Sequence, residues 1–159
     1  MPTVQEKKKE ILRIAKANIA DKSWNYFLPR QAKRNSEVKF GIKEWKCNLF
    51  VYEILLACQI DIGTPNQISE KRWLLKAKGK TERPPTCRQW YNGEVPYFTE
   101  IRREEARGGD ICTDGSHCGI VSDDFERTIS ATQIDVVSND WGWREDQKNV
   151  KFFTLNVVP

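Results

Sequence analysis

Two residue types in this chain can combine to give nucleophilic chemistry: five cysteines and a single histidine. A thiol becomes a nucleophile when its thiolate is stabilised, and a helix start does this through unpaired N–H groups and the positive end of the helix dipole. Cys47 opens the most apolar helical stretch of the sequence. Cys47, Phe50, Val51, Ile54, Leu55 and Cys58 recur there at helical spacing, while Leu49, Tyr52 and Leu56 make the opposite side apolar as well. The pattern predicts a buried central helix over 47–59 that anchors Cys47 on a rigid element. His117 starts the run His117-Cys118-Gly119-Ile120-Val121 directly after the turn residues Asp114-Gly115-Ser116. An imidazole of ordinary pKa can take a thiol proton near neutral pH and return it to a leaving amine. A cysteine and a histidine so placed perform acyl transfer through a thioester. Singly, Cys47 reads as a small buried hydrophobe and His117 as a hydrogen-bonded surface residue. The inference rests on the pair.

The surrounding elements must bring the two together. Thr3 and Glu6 have capping-box spacing ahead of Ile11, Ile14, Ala15 and Ile19, which predicts an amphipathic helix over 4–20. Residues 21–46 carry Trp24, Tyr26, Phe27 and Trp45 without periodicity and read as a structured loop. Gly63, Pro65 and Asn66 end the central helix, a short helix is expected around 67–76, and Arg83-Pro84-Pro85-Thr86 opens a loop running through Trp90, Gly93 and Pro96. After Gly108-Gly109 come short β-type runs at 110–113, 117–122, 127–132, 135–138 and 151–158, with Asp123-Asp124 as a hairpin turn. Helices first and an antiparallel sheet second define an α+β fold, and 159 residues suit one domain, taken here as 1–159.

Composition narrows the classes. A chain 39% hydrophobic and 30% charged is that of a folded globular protein. The net charge of +4 is a mild bias, and the run Lys7-Lys8-Lys9 reads as a solvated helix face before it reads as a nucleic-acid or cell-wall contact. The first helix is broken by charges, so the expectation is synthesis in the cytoplasm without a signal peptide and no membrane insertion. No cysteine spacing forms C-x-x-C or a zinc-finger pattern. A metal site would need thiolates to converge from scattered positions, and none is expected. Trp45, Trp73, Trp90, Trp141 and Trp143 suit a substrate groove, although large aromatics in a small domain more often fill the core.

Lys46-Cys47-Asn48-Leu49-Phe50-Val51 resembles the C-x-x-F-V helix start of NlpC-type and CHAP-type cell-wall cysteine peptidases. Gly109-Asp110-Ile111 followed by His117-Cys118-Gly119-Ile120-Val121 resembles their G-D-[IL] and H-x-G-I-[VY] strands. The resemblance covers residues 45 to about 132. It implies a papain-like domain with N-terminal helices and a central Cys-bearing helix packed on the sheet. It also implies hydrolysis of amide bonds in peptidoglycan stems or cross-links, with no metal or organic cofactor. Small size, the absent signal and the loop around Arg83-Pro84-Pro85-Thr86 are most similar to type VI secretion amidase effectors. That narrower resemblance implies export to the periplasm of a target cell and a cognate immunity protein as partner.

The chain departs from the family pattern at the third catalytic position, where a polar residue on the next strand orients the imidazole. Ser130 occupies that place, and Asn139 or Asp140 could fold back to serve instead. Cys118 also replaces a common Val or Ile; strand alternation should turn it away from the site and into the core. Asp110 reads as a turn residue, and the N–H of Cys47 as the oxyanion donor. Two other readings stand beside the hydrolase: a Cys–His transferase or protease with a non-wall substrate, and a basic interaction module without catalysis.

Overall fold

The computed structural model describes residues 1–32, 35–63 and 83–159, and among these the chain is α+β, with three α-helices and a six-stranded antiparallel sheet. The helix expected around 67–76 and Trp73 lie outside the described residues. Helix α1 spans Val4–Ala17, and its capping box is formed as the sequence predicts: Thr3 Oγ1 accepts from the Glu6 N–H while the Glu6 carboxylate accepts from the Thr3 N–H. It ends three residues short of the expected boundary.

The lysine run is corrected by the structure. Lys7 and Lys8 are buried, with Lys7 Nζ donating to the Cys58 carbonyl at 2.6 Å and Lys8 Nζ 2.7 Å from Asp110 Oδ1. Only Lys9 is exposed. The long apolar stems of the other two run inward and their ammonium groups find fixed acceptors.

Residues 21–46 are more ordered than a loop. A 3₁₀ turn spans Lys22–Trp24, and β1, Arg30–Ala32, pairs with β2, Asn35–Phe40, as an antiparallel hairpin. Tertiary contacts hold it where its sequence shows no alternation. Arg30 lies 3.5 Å over the Trp24 ring and pairs at 3.1 Å with Glu53, a carboxylate buried in the central helix.

That helix, α2, spans Cys47–Ala57, and Leu49, Phe50, Val51, Tyr52, Ile54 and Leu55 are all buried. It packs on the sheet with α1 behind it, in a core that joins Ile11, Phe50 and Ile54 to Ile120 and Ile129. The expected loop over 83–100 contains a five-residue helix, α3, Cys87–Tyr91, and a strand, β3, Phe98–Ile101. Strands β4 (Ile111–Thr113), β5 (Cys118–Val121), β6 (Thr128–Ala131), β7 (Val136–Asn139) and β8 (Lys151–Leu155) follow. Their order in the sheet is β3-β8-β4-β5-β6-β7. Asp123 and Asp124 lie in the β5–β6 hairpin connection, which closes through Ser122 N–H to the Arg127 carbonyl at 2.8 Å. The second face of the sheet carries a smaller apolar cluster of Ala106, Cys112, Val121 and Phe152, covered by Trp141 and Trp143. No described helix is long and apolar enough to cross a membrane.

Candidate active site

Cys47 is the first residue of α2, and it is buried. The first backbone bond of the helix runs from Phe50 N–H to the Lys46 carbonyl at 2.8 Å. The N–H groups of Cys47, Asn48 and Leu49 therefore precede any intrahelical donor, and the helix offers them with its positive end to an anion. Lys46, at the cap, is itself buried. Its ammonium donates to the carbonyls of Glu44, Gly41 and Tyr26 at 2.9, 3.3 and 3.5 Å, which ties the chain before α2 into a fixed loop. Burial lowers the Lys46 ammonium from the ordinary lysine value. Arg83 grips Glu44 through two bonds of 2.8 and 3.0 Å, so the residues on both sides of the site are cross-tied.

His117 immediately precedes β5 and is partly buried. Its Nε2 lies 3.0 Å from Ser130 Oγ, and its ring meets the edge of Trp141 with centroids 4.6 Å apart. Ser130 thus reaches the imidazole from the neighbouring strand. Gly119 makes this approach feasible: a Cβ there would lie 2.6 Å from Thr128 Cγ2 and 2.9 Å from Ser130 Cβ. Of the other candidates for the third position, Asn139 accepts from the Trp141 N–H at 3.1 Å, and Asp140 is exposed and paired with Arg144 at 2.8 Å. Neither folds back onto His117, because each is committed to shaping the turn after β7.

The sequence expectation for Cys118 holds only by half. It is fully buried in the core, yet it does not turn away from the site. Cys118 Sγ is 3.1 Å from Cys87 Sγ, which in turn is 3.5 Å from Cys47 Sγ. All three sulfurs lie within 4.8 Å of one another. Thiols from scattered positions do converge here, against the sequence expectation, and among the described residues this trio could hold a metal ion. Cys87 was missed because α3 is too short to show periodicity. The available signal was the capping box of Thr86 and Gln89, which sets Cys87 at a helix start. The five cysteines are free thiols.

The thiols differ sharply in their acidity. Cys47 is held well below the ordinary thiol value by the hydrogen bonds of Cys118 and Cys87, against burial, with the hydrogen bond and charge of His117 assisting. Cys87 gains from Cys118 but is pushed up overall by Cys47 and by burial. Burial, then the two neighbouring thiols, push Cys118 well above the ordinary value. One thiolate is therefore favoured in the cluster, and it is Cys47. Cys112, on the other face of the sheet, is raised by burial.

The tryptophans divide. Trp24 and Trp90 are core, Trp143 stacks on Phe152, and Trp45 is exposed against Tyr26 with centroids 4.6 Å apart. Among the described tryptophans, Trp141 is the one in ring contact with His117. A cavity of about 390 Å³ lined by Arg103, Arg107, Asp123 and Trp143 includes neither Cys47 nor His117. Asp110 is structural as read: it is fully buried, accepts from the Arg107 N–H at 2.7 Å and pairs with Lys8.

No protein family, curated protein or solved structure matches the chain in any of three comparisons.

Proposed function

We propose that the chain is a papain-like, NlpC-type cysteine hydrolase that cleaves amide bonds in peptidoglycan stems or cross-links. The observation that carries this reading is Cys47: a helix-start thiol held well below its ordinary value beside a histidine that Ser130 engages. The resemblance of the Cys47 helix and the His117 strand to cell-wall peptidases supplies the substrate class. Its closer likeness to type VI secretion amidase effectors gives the setting of an antibacterial toxin acting in a target cell's periplasm, with an immunity protein as partner.

The chemistry follows from the positions. The Cys47 thiolate attacks the carbonyl carbon of the scissile amide, and the first-turn N–H groups of α2 receive the charge that develops on oxygen. The His117 imidazolium gives its proton to the departing amine, leaving a thioester on Cys47. Water, deprotonated by His117, then attacks the thioester, releases the acid and restores the Cys47 thiolate beside the His117 imidazolium. Ser130 holds the ring in plane for both transfers, as the third member of a triad does.

Digestion of purified peptidoglycan, with the fragments identified by mass spectrometry, tests the assignment. The intact protein should release new amine and carboxyl ends, and Cys47→Ala and His117→Ala should each release none while keeping the native fold. Full activity in either variant would overturn the mechanism. Cleavage of protein substrates with untouched wall would overturn the substrate class.

A further inference from the structure

The catalytic reading uses one thiol of the three that meet at the site. Cys87 and Cys118 take no part in acyl transfer, yet both are placed with as much care as the nucleophile. They come from three different elements: Cys47 opens α2, Cys87 opens α3, and Cys118 opens β5. Thr113 ties two of these segments together. Its Oγ1 lies 3.2 Å from the Cys87 carbonyl and 2.9 Å from the His117 carbonyl, which directly precedes Cys118. A hydroxyl that fixes two sulfur-bearing segments is the kind of support that orients ligands in metal centres.

We propose that Cys47, Cys87 and Cys118 form a three-thiolate site for a thiophilic divalent cation of the Zn2+ and Cd2+ class. Zn–S bonds of about 2.3 Å in tetrahedral array put sulfurs about 3.8 Å apart. The observed spacings of 3.5 and 3.1 Å fall short of that value by about 0.3 and 0.7 Å, and all three sulfurs lie within 4.8 Å of one another, so the thiols must part by less than about 1 Å to admit the ion. Soft, closed-shell cations select such a donor set, whereas Mg2+ and Ca2+ require oxygen. The three sulfurs supply three of four tetrahedral positions, and the fourth is open to water or an exogenous ligand. Binding forms three metal–sulfur bonds and breaks the S–H bonds of whichever thiols are still protonated, with the protons passing to the buffer. Nothing is oxidised or reduced.

Occupancy occupies the Cys47 sulfur, so a loaded site cannot attack a carbonyl. That consequence rests on the hydrolase reading, while metal binding itself does not. The cation then acts as a reversible cap on the nucleophile, removable by a chelator.

The test uses the full chain, reduced with a phosphine and freed of metal by chelation. Titration with Cd2+ should raise a thiolate-to-metal charge-transfer band that saturates at one ion per chain, and Zn2+ should displace the Cd2+. Cys87→Ser, a buried substitution whose fold circular dichroism checks, should weaken Cd2+ by at least about tenfold. Cys118→Ser should do the same, and circular dichroism shows whether that buried substitution keeps its fold. Cys112→Ser, on the opposite face of the sheet, should leave the titration unchanged. A band that fails to saturate, or one as strong in Cys87→Ser as in the unaltered chain, would overturn the site. Saturable binding by a protein that cleaves no wall peptide would leave this site standing and remove the hydrolase reading. Wall cleavage without the band would do the reverse.

Discussion

Two buried polar assemblies, one around Asp110 and one around Cys47, are built on opposite principles. Around Asp110 every charge is matched: Lys8 pairs with Oδ1 at 2.7 Å, Thr154 Oγ1 donates to the same oxygen at 2.6 Å, and the Arg107 N–H serves Oδ2 at 2.7 Å. This assembly locks α1 to β4 and β8. Around Cys47 the groups crowd without such matching. Three thiols share a space in which ionising one pushes the others up, and the base beside them is an imidazole held by a serine. A fully matched buried pair has nothing left to do beyond holding the fold. A cluster that keeps one member ionised against burial holds reactivity.

Substitutions separate the two roles. Removing Asp110 should cost the most stability, because it strands the Lys8 ammonium in the core. Asp110→Ala is expected to lower unfolding free energy by about 3–5 kcal/mol in urea titrations, while the fraction that remains folded keeps Cys47 reactive. A loss of thiol reactivity in folded Asp110→Ala would merge the two assemblies into one. Gly119→Ala drives a methyl into Thr128 and Ser130 and should cost about 1–3 kcal/mol, with a disproportionate loss of wall hydrolysis because β6 carries Ser130 away from His117. Hydrolysis that falls only as far as stability falls would remove Gly119 from the site's architecture. Ser130→Ala should have the smallest effect: kcat about tenfold lower, KM unchanged and stability nearly so. An unchanged kcat would mean that Trp141 alone sets the ring.

The same contrast explains what could be read from the residues in order. Helix α2 was legible because its apolar residues surround it on all sides, and the strands after Gly109 because short β-rich runs alternate with turn residues. Ser130 was reachable through strand order, since β6 follows β5 in a hairpin. The β1–β2 hairpin was not legible: its stability resides in Arg30 meeting Glu53 and Trp24, contacts between segments that no local pattern encodes. The thiol cluster was hidden for the same reason. Cys87 and Cys118 are 31 positions apart, and only the packing of α3 against the sheet brings their sulfurs to 3.1 Å. Lys7 and Lys8 misled because a charge run on a helix is commonly solvated, whereas here the acceptors come from Cys58 and Asp110 across the core.

The central claim is that Cys47 carries a stabilised thiolate, and its alkylation by iodoacetamide as a function of pH, followed by peptide mass spectrometry, tests it most directly. Ordinary thiols lose reactivity as pH falls below about 8.5, because the thiolate is protonated. Cys47, with its value lowered, should stay reactive well below that point, and Cys87→Ala and His117→Ala should each move its profile back toward the ordinary one. Cys112 should stay unreactive throughout. A Cys47 profile that coincides with that of an ordinary thiol, unchanged by either substitution, would contradict the account.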